Sequence, residues 1–279
     1  MNKPSLGDIK FINCLPLHYG LTHGGFGSSV SIYPGTPAEL NRLVVSGELD
    51  VSPVSSIIYA KHSEKFLLLP DVSISANGGL QSIVLVSKQP IHDLRQARIA
   101  LTAKSATSHG LLKIIMHHAY QGAPDYFISP LSLAGGVLHD AQAVLFIGDE
   151  ALHAYHHRVA GYYYYDLGAE WKKLTGFAMV YAVWVVNRSF AAASPDLLQM
   201  VYEQVTGAFA YGLSNLPTAA EMLSSTVSFT TVQLINYINL LNYQFTPAHE
   251  QALLTYYKLA HGLGLIDHVP KIEFAKVIK

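Results

Sequence analysis

Charged residues are scarce in this sequence, and Cys14 is the only cysteine among its 279 residues. A single cysteine excludes an intrachain disulfide. Lysine, arginine, aspartate and glutamate make up only 13% of the chain, and the net charge is −1 at pH 7. No basic field is available to hold nucleic acid or an anionic membrane, so we predict neither as a partner. An anionic ligand must then be bound locally, by amides, hydroxyls and helix ends.

Long apolar segments are also missing. The longest apolar run, residues 177–186, is far too short to span a membrane and predicts a buried strand. The first ten residues lack the apolar core of a secretory signal, which favours a cytoplasmic location. The sequence contains no nucleophile elbow, no phosphate-binding P-loop and no zinc-binding set of cysteines and histidines. The familiar signatures of serine hydrolases, P-loop proteins and zinc proteins are therefore absent.

Half of the residues are hydrophobic, which is ample for a buried core. Strand-like and helix-like segments alternate up to about residue 186, a pattern typical of an α/β fold. The predicted strands are 30–33, 50–54, 81–87, 98–102, 143–147 and 177–186. A capping box at Thr36, Pro37 and Glu39 starts one helix. Further predicted helices are 106–120, 195–213, 231–241 and 247–261, so the C-terminal region is expected to be helical.

The order of these segments predicts two lobes rather than a single doubly wound sheet. The α/β segments fall into two blocks, and two chain segments cross between them. We predict that residues 1–87 and 188–279 form lobe I and that residues 88–187 form lobe II. The ligand cleft is expected between the two lobes.

Asn13 is the first candidate site residue. It follows a strand-like start in the segment 9–21 and precedes Pro16. The carboxyl ends of strands are the edge at which α/β folds bind ligands. An amide donates and accepts hydrogen bonds but does not transfer protons, so Asn13 is predicted to bind or position a ligand. Capping of a turn explains the same residue equally well.

Three hydroxyls surround a predicted helix start in the segment KSATS, residues 104–108. Ser105, Thr107 and Ser108 lie where free backbone N–H groups face outward. Hydroxyls and helix N–H groups together bind a carboxylate or phosphate without net charge. One residue would suffice as a helix cap, so we favour an anion site over ordinary capping.

Other polar residues at segment ends are ambiguous. Ser82 begins a buried strand and Ser56 follows one, and each hydroxyl fits a ligand contact or a simple strand end. Asp149 fits a catalytic acid, a ligand contact or an N-cap, and the residue pattern alone favours the N-cap. In the turn Thr175–Gly176, the glycine permits close approach of the backbone to a ligand.

A histidine cluster follows Asp149. Glu150, His153 and His157 have same-face helical spacing, and His156 lies between them. No H-E-x-x-H pattern and no second cluster supply further ligands, so we predict no metal and no cofactor. Cys14 has no specified histidine partner, which disfavours a nucleophilic role.

Six segments, taken together and in order, resemble the menaquinone-biosynthetic chorismate dehydratase family of the futalosine pathway. They are FINCLPLHYGL (11–21), GELDVSPVSSIIYA (47–60), QSIVLVS (81–87), KSATS (104–108), IGDEAL (147–152) and YDLGAEWKKLTGFAMVYAVW (165–184). Each segment is weak alone, whereas the ordered set is specific. Three positions depart from the family pattern: Phe11 replaces a tyrosine, Ile58 an acid and Ala178 a proline.

The resemblance implies a two-lobed α/β fold similar to that of type II periplasmic binding proteins. It also implies that chorismate loses water to give 3-[(1-carboxyvinyl)oxy]benzoate. By motif position, Asn13, Ser82 and Asp149 would be catalytic. The implied substrate-binding residues are Ser56, Ser105, Thr107, Ser108, Thr175 and Gly176.

The identity of the base stays open between the substrate's own enolpyruvyl carboxylate and Asp149. Two other functions are compatible with the pattern: 1,4-dihydroxy-6-naphthoate synthase of the same pathway and a non-catalytic solute-binding protein. The expected partner is a small anionic substrate, and a homodimer is one assembly that fits.

Overall fold

The computed structural model describes residues 3–103, 105–129 and 140–278, so Lys104 of the KSATS segment lies outside the described residues. Two five-stranded sheets form the framework, and helices pack against both of them. The C-terminal part is helical. The predicted α/β class with a helical C-terminal region is confirmed.

The first sheet is mixed. Its strands are β1 (Ser5–Ile9), β2 (Ser31–Gly35), β3 (Val51–Ser55), β4 (Phe66–Ala76) and β10 (Met179–Asn187). Their order is β2-β1-β3-β10-β4, with β1 parallel to both of its neighbours. Strand β10 runs antiparallel between β3 and β4, and it is the buried strand predicted from the long apolar run. The carboxyl ends of β1 and β3 therefore meet at one edge of the sheet.

The second sheet is also mixed. Its strands are β5 (Ile83–Ser87), β6 (Arg98–Leu101), β7 (Asp125–Ile128), β8 (Ala143–Ile147) and β9 (Tyr163–Asp166). The order is β7-β6-β8-β5-β9. Strands β6, β7 and β8 are parallel, and β5 runs antiparallel to β8 and β9.

The pairing of two strands bears on where the lobe boundaries lie. Strand β5, expected in lobe I, pairs in the second sheet, and β10, expected in lobe II, pairs in the first. Every residue of β5 is buried, and a fully buried strand carries no pattern that specifies its partners. We propose that each lobe is built around one sheet and that the chain crosses between them near residues 77–82 and 176–178.

Eleven helices occur in the described residues. They are α1 (Leu15–His23), α2 (Pro37–Val45), α3 (Ser56–Lys61), α4 (Ala106–Tyr120), α5 (Gly148–His156), α6 (Leu167–Thr175), α7 (Arg188–Ala193), α8 (Pro195–Ser214), α9 (Leu216–Ser224), α10 (Thr231–Ile238) and α11 (Pro247–Gly262). The capping box that predicted α2 is present: the Thr36 N–H donates to Glu39 Oε2 at 2.8 Å. Helix α4 has the predicted bounds, whereas α10 ends three residues earlier than predicted.

The hydrophobic core continues from one sheet to the other. One large cluster contains side chains of both sheets, and a smaller cluster covers the far face of the second sheet. Alternate residues of β5 belong to the large and to the small cluster, because successive strand residues point to opposite faces of the sheet. Helix α11 packs against β10, α3 and α4 and so contacts both lobes.

No helix within the described ranges combines the length and the hydropathy needed to cross a membrane.

Candidate active site

A cavity of about 60 Å³, or about 580 Å³ when the open space at its mouth is included, lies between the two sheets. Both lobes line it, and no described lining residue carries a formal charge. The lining consists of Ile9, Phe11, Asn13, Pro37, Ser55, Ile74, Leu80, Ser82, Ile83, Ser105, Ser108, Ile147, Gly148, Tyr181, Ala182 and Leu241. Apolar walls with a few polar groups are typical of small-molecule sites.

Asn13 reaches this cavity from a 3₁₀ turn, Ile12–Cys14, that joins β1 to α1. Its backbone carbonyl accepts a hydrogen bond of 2.8 Å from the Tyr243 hydroxyl, which fixes the turn. Its side-chain Oδ1 is buried and has no hydrogen-bond partner among the described residues. A buried polar atom without a partner is costly and is expected where a ligand completes the bonding.

Ser82 lies on the opposite wall, just before β5, and is 4% exposed. Its hydroxyl accepts a hydrogen bond of 2.8 Å from Tyr237 of α10. Burial raises the pKa of Tyr237, which therefore stays protonated at neutral pH. Because Tyr237 donates to the Ser82 oxygen, the Ser82 proton is free to be donated elsewhere.

Ser105 and Ser108 line the cavity at the start of α4. Ser105 is the N-cap: its hydroxyl accepts from the Ser108 N–H at 3.3 Å, and the two hydroxyl oxygens are 2.9 Å apart. The hydroxyl pair and the first-turn N–H groups together supply donors without a formal charge. The structure thus places two of the three hydroxyls of the predicted anion site in the cavity.

The third hydroxyl, that of Thr107, faces the other lobe. Thr107 Oγ1 accepts a hydrogen bond of 3.2 Å from the Ile57 N–H, and the Thr107 carbonyl accepts one from Tyr256 of α11. Ser56, also predicted to bind substrate, donates its hydroxyl proton to the Val180 carbonyl at 2.8 Å. Neither residue is part of the cavity lining: Thr107 joins α4 to α3 of the first-sheet side, whereas the Ser56 bond to β10 lies within that side.

Asp149 lies in the first turn of α5, where Ile147 rather than Asp149 occupies the N-cap position. Its Oδ1 accepts a hydrogen bond of 3.2 Å from the Ile12 N–H of the opposite lobe. Asp149 is not part of the cavity lining. Its carboxylate instead holds the 3₁₀ turn that carries Asn13.

The Thr175–Gly176 turn ends α6 and does not line the cavity either. The Thr175 hydroxyl donates to the Trp171 carbonyl at 3.0 Å and accepts from the Phe177 N–H at 3.1 Å. These bonds satisfy the helix terminus and give Thr175 a structural role.

A family model described as menaquinone biosynthesis matches residues 4–262. The protein belongs to this menaquinone biosynthesis family. Chorismate dehydratase of Thermus thermophilus is 36% identical over 197 residues, which cover 66% of this chain and 69% of that protein. Chorismate dehydratase of Campylobacter jejuni is 29% identical over 180 residues, which cover 63% and 64% of the two chains.

Solved structures agree with the fold of this family member. A protein of Archaeoglobus fulgidus superposes with a TM-score of 0.77 at 19% identity, covering 95% of this chain and 98% of that one. The periplasmic aliphatic sulphonate binding protein of Escherichia coli superposes with a TM-score of 0.72 at 14% identity, covering 100% and 94%. At such identities the likeness concerns the fold alone, and it confirms the predicted periplasmic-binding-protein-like architecture.

The cavity lining of this menaquinone biosynthesis protein also includes residues that were not among the predicted site residues, notably Phe11, Ser55, Gly148 and Tyr181. Gly148 has φ of +59°, and a Cβ there would lie 3.4 Å from the Phe11 ring. The glycine thus allows the sharp turn from β8 into α5 beside the cavity. In the sequence, the position of Gly148 between an apolar strand and a helix was the signal that could have identified it as a site residue. Ser55 could not be distinguished from Ser56, because both follow the same predicted strand.

The histidine cluster does not form a metal site within the described ranges, where no group of three or more metal-ligating side chains occurs. His153 and His157 stack with their ring centroids 4.2 Å apart. His157 Nδ1 lies 3.0 Å from the His153 carbonyl oxygen.

Cys14 is buried, and burial together with Asp8 and Asp149 raises the pKa of its thiol, so it is a poor nucleophile.

Proposed function

We propose that this protein is a chorismate dehydratase that converts chorismate into 3-[(1-carboxyvinyl)oxy]benzoate. The observation that carries the proposal is the 36% identity to the Thermus thermophilus chorismate dehydratase over two thirds of the chain. The cavity supports it with hydroxyl and amide groups on facing walls, which suit a small polar anion.

The reaction requires three things of the cavity. The two substrate carboxylates must be bound, the proton on the ring carbon must reach a base, and the ring hydroxyl must leave as water. Ser105 and Ser108 at the α4 terminus bind a carboxylate, and Asn13 and Ser82 hold the reacting part of the substrate from opposite walls. Aromatisation of the ring drives the elimination, so the protein contributes mainly orientation and fixed dipoles.

The substrate's enolpyruvyl carboxylate acts as the base in this proposal. Asp149 is the alternative, but its carboxylate bonds to the Ile12 N–H and is not part of the cavity lining. The cavity lining has no carboxylate among its described residues. Asp149 therefore acts as a positioning residue for the turn that carries Asn13.

Asp149→Asn tests this assignment. An asparagine still offers an oxygen to the Ile12 N–H, so we expect kcat to fall by less than about tenfold, whereas loss of a general base costs about 100- to 10,000-fold. Asp50→Asn is the matched control, because Asp50 likewise accepts from a backbone N–H, that of Ser5, away from the cavity. A fall of several orders of magnitude in a folded Asp149→Asn protein, with Asp50→Asn unaffected, would make Asp149 the base.

The function itself is tested by a substrate panel. The purified protein is incubated separately with chorismate and with the substrate of 1,4-dihydroxy-6-naphthoate synthase, and products are followed by absorbance and mass. Turnover of chorismate alone is expected. Turnover of the second compound alone would assign the sibling activity, and binding of chorismate without turnover would assign a solute-binding protein.

A cytoplasmic location and a homodimer remain predictions.

A further inference from the structure

Tyr181 occupies an irregular position in β10, an inner strand of the first sheet. Val180 and Ala182 of β10 pair with Ser75 and Ile74, which are consecutive residues of β4. Tyr181 is therefore an extra residue, a β-bulge between two paired positions. Neighbouring residues of a regular strand face opposite sides, yet Tyr181 and Ala182 both line the cavity. Bulges re-aim side chains in this way and are frequent beside active sites.

The hydroxyl of Tyr181 has no hydrogen-bond partner among the described residues, although the side chain is only 7% exposed. The other tyrosines of this region are bonded: Tyr237 donates to Ser82 and Tyr243 to the Asn13 carbonyl. A buried hydroxyl that bonds to nothing costs stability, because its hydration is lost without replacement. The loss of stability is explained if this hydroxyl forms a hydrogen bond with a bound ligand.

The surroundings keep this hydroxyl both fixed in place and protonated. An alanine Cβ at Gly168 would lie 2.8 Å from the Tyr181 oxygen and would overlap the Gly78 carbonyl, so only a glycine allows α6 to pack this closely. Burial, followed by the nearby Asp166 carboxylate, raises the pKa of Tyr181. At neutral pH the group is a hydrogen-bond donor and never an anion.

We propose that Tyr181 is a substrate-binding residue of this cavity and that its hydroxyl donates a hydrogen bond to a carboxylate oxygen of chorismate. The inference rests on the proposed function. A dianion bound in a cavity whose described lining carries no formal positive charge depends on uncharged donors, and the Tyr181 hydroxyl is a donor on the first-sheet wall without a partner among the described residues. The contacted group is the ring carboxylate, which keeps its charge while the enolpyruvyl carboxylate acts as the base, so the hydrogen bond stabilises substrate and transition state equally.

Tyr181→Phe removes the hydroxyl and leaves the ring in place. We expect KM for chorismate to rise by about 10- to 100-fold, the effect of losing a hydrogen bond to a charged group, with kcat little changed. The melting temperature of the free protein should be unchanged or higher, because no bond is lost within the protein. A merely structural tyrosine would show the opposite pattern, a lower melting temperature with an unchanged KM.

Tyr202→Phe is the matched control. The Tyr202 hydroxyl donates to Asp71 Oδ2 at 2.8 Å, and Tyr202 is not part of the cavity lining. This variant should melt at a lower temperature and keep both kinetic constants within about twofold, as expected for a substitution remote from the site. Equal kinetics for Tyr181→Phe and Tyr202→Phe would overturn the proposal.

The assay separates this proposal from the proposed function. If the wild-type protein binds chorismate without turnover, the dehydratase activity fails, and calorimetric Kd values for wild type and Tyr181→Phe decide the role of Tyr181. If the wild type is active and Tyr181→Phe matches it, only the role of Tyr181 fails. If the wild type neither binds nor converts chorismate, both proposals are wrong.

Discussion

Asn13→Asp is expected to lower kcat/KM for chorismate by about a thousandfold, since two like charges about 4 Å apart repel by about 4 kcal/mol near a protein surface. Aspartate has nearly the size of asparagine, so the cavity keeps its shape. The substitution places a negative charge on a lining that has none among its described residues, next to a dianionic substrate. Electrostatic repulsion, rather than a steric change, then causes the loss.

The pH dependence of the Asn13→Asp variant identifies the cause. Burial raises the pKa of a carboxyl group, so the new side chain is protonated and neutral at acid pH. The difference from wild type should therefore shrink as the pH falls and grow as it rises. Steady-state kinetics across pH measure this, with Asn236→Asp on the exposed face of α10 as the control for added charge. A folded Asn13→Asp protein with wild-type kinetics would remove Asn13 from the site.

Replacing Ser105 and Ser108 together by alanine is expected to lower kcat/KM by about a hundredfold, the loss of two hydrogen bonds to a carboxylate. The same change removes the N-cap of α4, which costs about 1 kcal/mol of stability. Activity and the melting temperature should therefore both fall, and measurements of kinetics and thermal unfolding on the same protein preparations record the two effects.

Thr230→Ala separates capping from binding. Thr230 caps α10 with the same geometry, accepting a hydrogen bond of 3.2 Å from the Gln233 N–H, and it is not part of the cavity lining. This variant should lose a similar amount of stability while its kinetic constants stay unchanged. If the Ser105 and Ser108 double variant also changes only in stability, the hydroxyl pair is a helix cap and nothing more.

Local signals in the sequence predicted much of the fold. The capping box at Thr36 and Glu39 and the hydroxyl cap at Ser105 act within a single helical turn, so α2 and α4 follow from nearby residues. Asn13, Ser82, Ser105 and Ser108 were predicted from their places at segment ends and from the order of the motifs. The structure places all four on one cavity.

The remaining features depend on contacts between distant parts of the chain. The hydrogen bond from the Ile12 N–H to Asp149 joins residues 137 positions apart, and it is the contact that supports the positioning role we propose for Asp149. Ser56 and Thr107 were assigned to substrate because a hydroxyl at a segment end does not reveal which way it points. The bulge at Tyr181 is defined by the pairing of β10 with β4, so it cannot be predicted from the sequence of either strand alone.

Conversion of chorismate by the wild-type protein decides whether this cavity eliminates water from that substrate. Purified protein at micromolar concentration is mixed with chorismate, and the reaction is followed by absorbance and mass spectrometry. We expect an aromatic product lighter than chorismate by the mass of one water, formed far faster than in buffer or with Asn13→Asp. Chorismate that remains unchanged, or a wild-type rate equal to that of the variant, would show that this cavity does not carry out the elimination.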